Sequence, residues 1–104
     1  MQVKNFHNKN QFVITGNDYI SFQSYDSTVA EIQPNGKIKF GKNWDFSATT
    51  KKHLYLFLNE YKNNIENFQY SQIFHKNGGI NAAKNKRAFL QNLIDKKVIF
   101  VTNL

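Results

Sequence analysis

The spacing of the apolar residues changes once along the chain, and this change indicates an α+β fold. Between residues 12 and 40, apolar and β-branched side chains alternate with polar ones in short segments, which is the period of half-buried strands. Pro34-Asn35-Gly36 predicts a hairpin turn, because proline presets φ and glycine accepts a positive φ. The front half is therefore predicted to be an antiparallel β-meander of about three to five strands with one apolar face.

After residue 50 the apolar residues recur at helical spacing. With Thr50 as the N-cap, six of them fall within about 80° of arc on a helix of about 17 residues. These six are Leu54, Phe57, Leu58, Tyr61, Ile65 and Phe68. A second amphipathic helix is predicted over residues 81–96, and residues 98–102 predict a C-terminal strand buried on both faces. The meander is therefore expected to pack against two amphipathic helices.

The length and composition indicate one folded domain over residues 1–104. Apolar residues make up 40% of the chain, more than a disordered segment carries. Residues 1–10 are polar and are expected to be frayed unless Phe6 anchors them. The absence of cysteine excludes disulfides and thiolate zinc sites and fits a reducing compartment. The start has no signal-peptide core, and no apolar run approaches the roughly 20 residues of a membrane span. We therefore expect a cytoplasmic protein with no membrane partner.

The charge balance is strongly basic. Fourteen Lys and Arg residues against seven Asp and Glu residues give a formal net charge of +7, which attracts polyanions. Thirteen of the fourteen cations are lysines, although the planar fork of arginine suits phosphate better. Lysine also shares AT-rich codons with the abundant asparagine, isoleucine, phenylalanine and tyrosine. The basic bias therefore has two open explanations, nucleic-acid contact and codon usage.

Two segments place cations beside predicted helix starts, one in the first turn of the first helix and one around a Gly-Gly turn before the second. No acid occurs between residues 67 and 94, so the second segment is expected to carry uncompensated charge. Helix N-termini and lysines both favour anions, and this predicts one anion-binding, partner-facing surface. Its residues are Lys51, Lys52, His53, Lys76, Lys84 and Arg87. The alternative is that Gly78 ends a short helix and the lysines form a solvated face. Charge reversal at Lys84 and Arg87 is expected to weaken binding with little change in melting temperature.

A secondary basic patch is predicted at the sheet edge, at Lys37, Lys39 and Lys42. Exposed aromatic side chains beside these lysines would resemble the base-stacking surfaces of single-strand binders. The candidates for such exposure are Tyr19, Tyr25, Trp44 and Tyr70. Trp44 has a second interpretation, as a cover for the core where the sheet meets a helix.

No catalytic, metal or cofactor site is predicted. His7, His53 and His75 lack the spacing of metal-binding histidine pairs, and the seven acids are scattered along the chain. No serine or threonine is accompanied by a recognisable base and oxyanion donors. We therefore expect a protein that is not an enzyme, with no catalytic residue, no metal and no cofactor.

One block of sequence resembles a known group of proteins. It consists of Y-x-x-T-V-A at residues 25–30, Trp44, and S-x-T-T-x-K-H at residues 47–53. The block resembles small uncharacterised proteins of phages and plasmids of low-GC Gram-positive bacteria and covers less than a third of the chain. The resemblance implies a mobile-element accessory protein in the bacterial cytoplasm that acts by binding to nucleic acid or to host defence machinery.

Three functional hypotheses remain open. The first is a non-enzymatic inhibitor or modulator that binds a host protein or ribonucleoprotein of a defence complex, as anti-CRISPR proteins do. Leu56 motivates it, because an apolar side chain outside the helix stripe needs a second packing partner, within the fold or on another protein. The second is an accessory protein that binds DNA or RNA directly. The third is a small nuclease or other enzyme, which would need a histidine clustered with acids. The oligomeric state is not predicted.

Overall fold

The structure, a computed structural model, describes residues 2–65 and 79–104. These residues form a six-stranded sheet, two α-helices and two short 3-10 turns, so the predicted α+β fold is confirmed. The strands are β1 Gln2–Asn5, β2 Gln11–Thr15, β3 Ile20–Ser24, β4 Ser27–Ile32, β5 Ile38–Gly41 and β6 Ile99–Thr102. The helices are α1 Ala48–Glu60 and α2 Lys86–Asp95, and the 3-10 turns are Lys62–Asn64 and Gly79–Asn81.

The strands follow chain order across the sheet. β1 to β5 are antiparallel to their neighbours, as predicted for a meander, and β6 pairs parallel with β5. The predicted turn between β4 and β5 is also present. Gly36 adopts a φ of 81° there, and its amide donates to the Gln33 carbonyl oxygen at 2.9 Å. β1 and β6 are the two edge strands of this sheet.

Alternation along the strands directs apolar side chains to one face of the sheet. The register aligns Val13, Phe22, Ala30 and Phe40 across four strands, and all four are fully buried. Helix α1 covers this face, and Phe57 stacks on Phe22 with ring centroids 5.5 Å apart. The helices contribute further buried residues to the same core, namely Leu54, Leu58, Leu90 and Leu93.

A bulge interrupts the pairing of β4 with β3. Phe22 pairs with Ala30 and Gln23 pairs with Thr28, so Val29 is an extra residue in β4. Val29 and Ala30 are both buried, whereas a regular strand would direct them to opposite faces. The bulge places Val29 near the start of α1, where Val29 and Thr50 line the same cavity.

Helix α1 starts earlier than predicted, since Ser47 is the N-cap rather than Thr50. The Ser47 Oγ accepts a hydrogen bond from the Thr50 amide at 3.1 Å, and Thr50 lies buried in the first turn. The helix ends at Glu60 after 13 residues, against about 17 expected. A 3-10 turn then leads to Ile65, which is extended but still buried. Phe68 lies outside the described residues.

Helix α2 is also shorter than the predicted residues 81–96. Asn85 is its N-cap, and the Asn85 side chain accepts a hydrogen bond from the Ala88 amide at 3.0 Å. The helix ends in a Schellman motif, in which Lys97 has a φ of 61° and its amide donates to the Ile94 carbonyl oxygen at 3.0 Å. Neither helix in the described ranges combines the length and apolar content needed to cross a bilayer.

The N-terminal segment is ordered into the sheet. Residues 2–5, which were expected to be frayed unless anchored, form β1 and pair with β2. Phe6 supplies the anchor, because it is buried with its ring 5.9 Å from that of Phe22 and 6.3 Å from that of Phe57.

The C-terminal strand is present as predicted, but it lies at the sheet edge. Ile99 is buried beside Ile38, whereas Phe100 and Val101 are exposed. The expectation that this strand is buried on both faces is therefore wrong. An edge strand has a neighbour on one side only, and Phe100 lies next to exposed Lys39 on the face that the core does not occupy.

Candidate functional site

The two helices begin at neighbouring points of the structure. Arg87, in the first turn of α2, donates from Nη2 and Nε to Oδ2 of Asp45 at 2.8 and 3.0 Å. Asp45 lies two residues before Ser47, the N-cap of α1. The positive ends of both helix dipoles therefore lie near one another, the arrangement in which their attraction for anions adds.

Arg87 is held by contacts within the fold. Besides the pair with Asp45, its guanidinium lies 5.6 Å from the ring centroid of Trp44. Trp44 is buried and packs on Phe40 with centroids 5.3 Å apart, so its interpretation as a core cover is confirmed. The expectation that the charge of Arg87 is uncompensated is wrong. Its counter-ion comes from residue 45, outside the acid-free segment of the sequence.

Tyr55 and Leu56 lie outside the buried stripe of α1 and are half-buried. Burial raises the pKa of the Tyr55 hydroxyl above its ordinary value of 10.0, while Arg87 lowers it and Asp45 raises it to lesser extents. Tyr55 and Leu56 both pack against the core. The second packing partner of Leu56 therefore lies within the fold.

Four lysines lie close to the two helix starts. Lys52 and Lys84 are exposed, and Lys51 and Lys86 are half-buried. We call these four residues the helix-start surface. Because α1 starts at Ala48, its two lysines lie almost one turn further into the helix than predicted, which weakens the contribution of the dipole. Lys86, the first residue of α2, was not among the predicted site residues.

Of the other residues predicted for the partner-facing surface, Arg87 pairs with Asp45 and His53 is buried. His53 is only 6% exposed, and its Nδ1 lies 2.9 Å from the Thr49 carbonyl oxygen. It therefore faces into the fold. Lys76, His75 and Tyr70 lie outside the described residues. In residues 2–65 and 79–104, no group of three or more histidine and acidic side chains is placed to hold a metal ion.

The predicted secondary patch does not form one cluster. Lys37 precedes β5 and Lys42 follows it, so they lie at opposite ends of that strand. Lys39 lies between them in β5, beside Glu31 of β4. All three lysines are exposed, and only Lys42 lies near the start of α1.

A cavity of about 170 Å³ opens between the end of the sheet and the start of α1. We call it the bulge pocket, because Val29, the extra residue of β4, forms part of its wall. Its other lining residues are Ser24, Tyr25, Ser27, Asn43, Phe46 and Thr50. Residues 25–30 and 47–53, the two halves of the block quoted above, therefore meet at this pocket.

Two aromatic side chains at the bulge pocket are largely exposed. Tyr25 is 57% exposed, as predicted, and Phe46 is 80% exposed. Phe46 was not predicted, but the sequence holds a signal for it. An apolar residue just before an N-cap usually packs on an apolar residue in the next helical turn, and here that position is Lys51. With Ser47 as the N-cap, Phe46 has no such partner in the helix.

The wall of the bulge pocket includes a buried hydroxyl group. Ser24 is 4% exposed, and its Oγ has no hydrogen-bond partner within the described residues. Gln11, the cross-strand neighbour of Ser24, is fully buried, and its side-chain amide likewise has no partner in these ranges. Buried polar groups are hydrogen-bonded in the great majority of native structures. This end of the core therefore holds unused hydrogen-bonding capacity.

A comparison of the sequence with known protein families gives a match to one that covers most of the chain. The sequence model of a family of unknown function (DUF8033) matches residues 1–76. The match includes the sheet strands β1 to β5, the bulge pocket and α1, and it ends before α2. No curated protein and no solved structure is significantly similar to the chain.

Proposed function

The chain belongs to the DUF8033 family, and we propose that it is a non-enzymatic accessory protein that binds nucleic acid stoichiometrically. The nucleic acid is free or is exposed in a nucleoprotein complex of the host. The setting that we propose is the bacterial cytoplasm, with the chain encoded by a phage or plasmid, as the quoted block implies. If the complex is a defence nuclease, occupation of its guide or target strand would inhibit it.

The observation that carries this proposal is the charge at the helix-start surface. Segments 42–53 and 82–91 contain one acid, Asp45, and the charge of Asp45 is already balanced by Arg87. The four lysines of the helix-start surface therefore remain as excess positive charge beside two helix N-termini. Such a combination attracts phosphate groups regardless of nucleotide sequence.

A purely protein partner has less support. The off-stripe position of Leu56 was the sequence feature that favoured it, and Leu56 packs within the fold. Inhibition of a host defence complex stays part of the proposal through the nucleic acid that such complexes expose.

A salt titration tests the proposal. A fluorescent single-stranded oligonucleotide is titrated with the protein, and binding is followed by anisotropy. Four phosphate contacts give a slope of about −2.8 in log K against log salt, so affinity should fall roughly 50-fold between about 50 and 200 mM salt. No binding at the lower salt concentration would refute nucleic-acid binding.

A pair of matched variants locates the contact. K52E/K84E reverses two exposed charges of the helix-start surface. K62E/K96E is the control, because Lys62 and Lys96 are exposed and lie at the opposite ends of the same two helices. Both variants change the net charge equally. Of the two variants, we expect only K52E/K84E to lower the affinity for the oligonucleotide, by about tenfold or more, because it loses two phosphate contacts. Equal losses in both variants would indicate attraction by net charge without a defined surface.

A further inference from the structure

We infer that the bulge pocket binds one unstacked base of a single-stranded nucleic acid, between the aromatic side chains of Tyr25 and Phe46. This inference rests on the proposed nucleic-acid binding and assigns the part of the molecule that distinguishes single strands from duplexes. The pocket volume of about 170 Å³ is below the roughly 300–1,000 Å³ of sites that enclose drug-sized ligands. The pocket is therefore suited to a single ring group.

The identities of the two aromatic residues are not explained by folding. Tyr25 occupies the β3–β4 turn with a φ of 53°, a conformation that bulky residues rarely adopt and that glycine or asparagine would accept more readily. Phe46 is exposed and has no staple partner in α1. Both side chains nevertheless line the same cavity. Aromatic side chains that are exposed in this way are the platforms on which single-strand binders stack bases.

The pocket wall carries the polar groups that a base edge needs. The Ser24 and Ser27 hydroxyls can each donate or accept a hydrogen bond, and the Asn43 amide can do both at once. The Thr50 hydroxyl is already hydrogen-bonded to Ser47 Oγ at 3.0 Å. Ser24 Oγ lacks a partner within the described residues. An apolar side chain from a protein partner would leave this hydroxyl unpaired. The donors and acceptors on a base edge can instead pair with such groups.

The charges around the pocket favour a phosphate backbone on one side. Lys51 follows Thr50 directly in α1, and Lys42 precedes Asn43, so cations flank two residues of the pocket wall. Asp26, next to Tyr25, is the one acid in the β3–β4 turn. It lines a second groove, beside the bulge pocket, together with Lys42. A strand with one base in the pocket would therefore extend its phosphates toward α1 and the helix-start surface.

The test compares three labelled probes of equal length, about 12 nucleotides, within the range bound by single-strand sites. The probes are oligothymidine, an abasic strand with the same phosphates, and a duplex. The inferred pocket predicts that the wild-type protein binds oligothymidine at least about fivefold more tightly than the abasic strand, the ratio expected for one stacked base. Equal affinity for these two strands would overturn the inference.

Variants Y25A and F46A complete the test. Each change should lower oligothymidine affinity by about fivefold or more and leave abasic and duplex binding unchanged. Thermal unfolding serves as a fold check, because both side chains are exposed. A variant Y25G relieves the strained φ, so a loss of base binding in Y25G with an unchanged or raised melting temperature also supports the inference.

The outcomes separate this inference from the proposed function. If K52E/K84E weakens all three probes while Y25A and F46A weaken none, the helix-start surface binds phosphate and the base pocket is refuted. If no probe binds at about 50 mM salt, nucleic-acid binding itself fails. The same variants are also compared as bait for proteins in a host lysate that has been treated with nuclease. If Y25A and F46A bind all three probes normally but no longer capture a host protein, the pocket receives a protein side chain, and the inference is overturned.

Discussion

Charge reversal at Arg87 is expected to destabilise the protein, whereas the same change at Lys84 is not. Both residues lie near the start of α2, and both were predicted to contact the partner without a structural role. Lys84 is exposed and precedes the helix. Arg87 instead joins Asp45 through two hydrogen bonds to one carboxylate oxygen and lies over the Trp44 ring. Comparing the two variants therefore distinguishes a cation that stabilises the fold, at Arg87, from one that is available for binding, at Lys84.

The expected loss of stability in R87E follows from the exposure of the Arg87 and Asp45 side chains. The side chains of Arg87 and Asp45 are 47% and 29% exposed, so the pair falls at the upper end of the about 0–1 kcal/mol typical of surface pairs. The cation–π contact with Trp44 adds about 0.5–1 kcal/mol. R87E removes both contacts and places a second carboxylate near Asp45. We therefore expect a loss of about 1–2 kcal/mol, or roughly 5–15 °C in Tm for a domain of this size.

Thermal unfolding by circular dichroism measures this difference. R87E should melt well below the wild-type protein, and K84E should stay within about 0.5 kcal/mol of it. The swapped variant D45R/R87D should recover part of the loss, because the ion pair is restored with its charges exchanged. If R87E melted with the wild-type protein, the ion pair would contribute nothing. Arg87 would then belong with the partner-facing lysines, as first predicted.

Three further outcomes are expected from the structure. S47A should cost about 1 kcal/mol of stability in denaturant unfolding, whereas T49A, at an exposed position of the same turn, should cost much less; equal effects would argue against Ser47 as the N-cap. G41A should destabilise by about 1–3 kcal/mol, because a Cβ at Gly41 would collide with the Thr28 carbonyl oxygen, and an unchanged urea midpoint would contradict this. The raised pKa of Tyr55 stabilises the folded state below pH 10, and this contribution is lost as the pH rises through the folded pKa. Y55F should therefore gain in Tm relative to the wild-type protein above pH 10, and parallel pH profiles would refute the shift.

The parts of the fold that depend on local pattern could be predicted from the sequence. The alternation between residues 12 and 40 and the turn at Gly36 indicated the meander, and the spacing of Leu54 to Leu58 indicated α1. The start of α1 was harder to assign, because Ser47, Thr49 and Thr50 are all good N-cap residues. The structure selects Ser47, since Thr50 is buried at the bulge pocket. Local sequence contains no information about that contact.

The parts that depend on distant partners could not be predicted. Arg87 and Asp45 are 42 residues apart in the chain, so the lack of nearby acids did not reveal the ion pair. The apolar run of β6 was expected to be buried, but local composition does not distinguish an edge strand from a central one. The bulge at Val29 depends on a shift in pairing between two strands, and the pocket exists because of that shift.

Three departures from local folding rules line the bulge pocket. His7 and Lys97 also have a positive φ. Lys97 follows α2 in a Schellman motif, and His7 lies in the loop between β1 and β2, where histidine adopts this conformation more readily than most bulky residues. At Tyr25 the turn accounts for the φ and leaves the choice of tyrosine unexplained. Phe46 is an exposed apolar residue before an N-cap, and Ser24 is a buried hydroxyl with no partner in the described ranges. Each departure costs stability on its own, and all three residues line one cavity beside the lysines of α1. Selection for folding alone would remove such costs independently of one another, and their convergence at one cavity is therefore the reason that we infer a single ligand contacting all three residues.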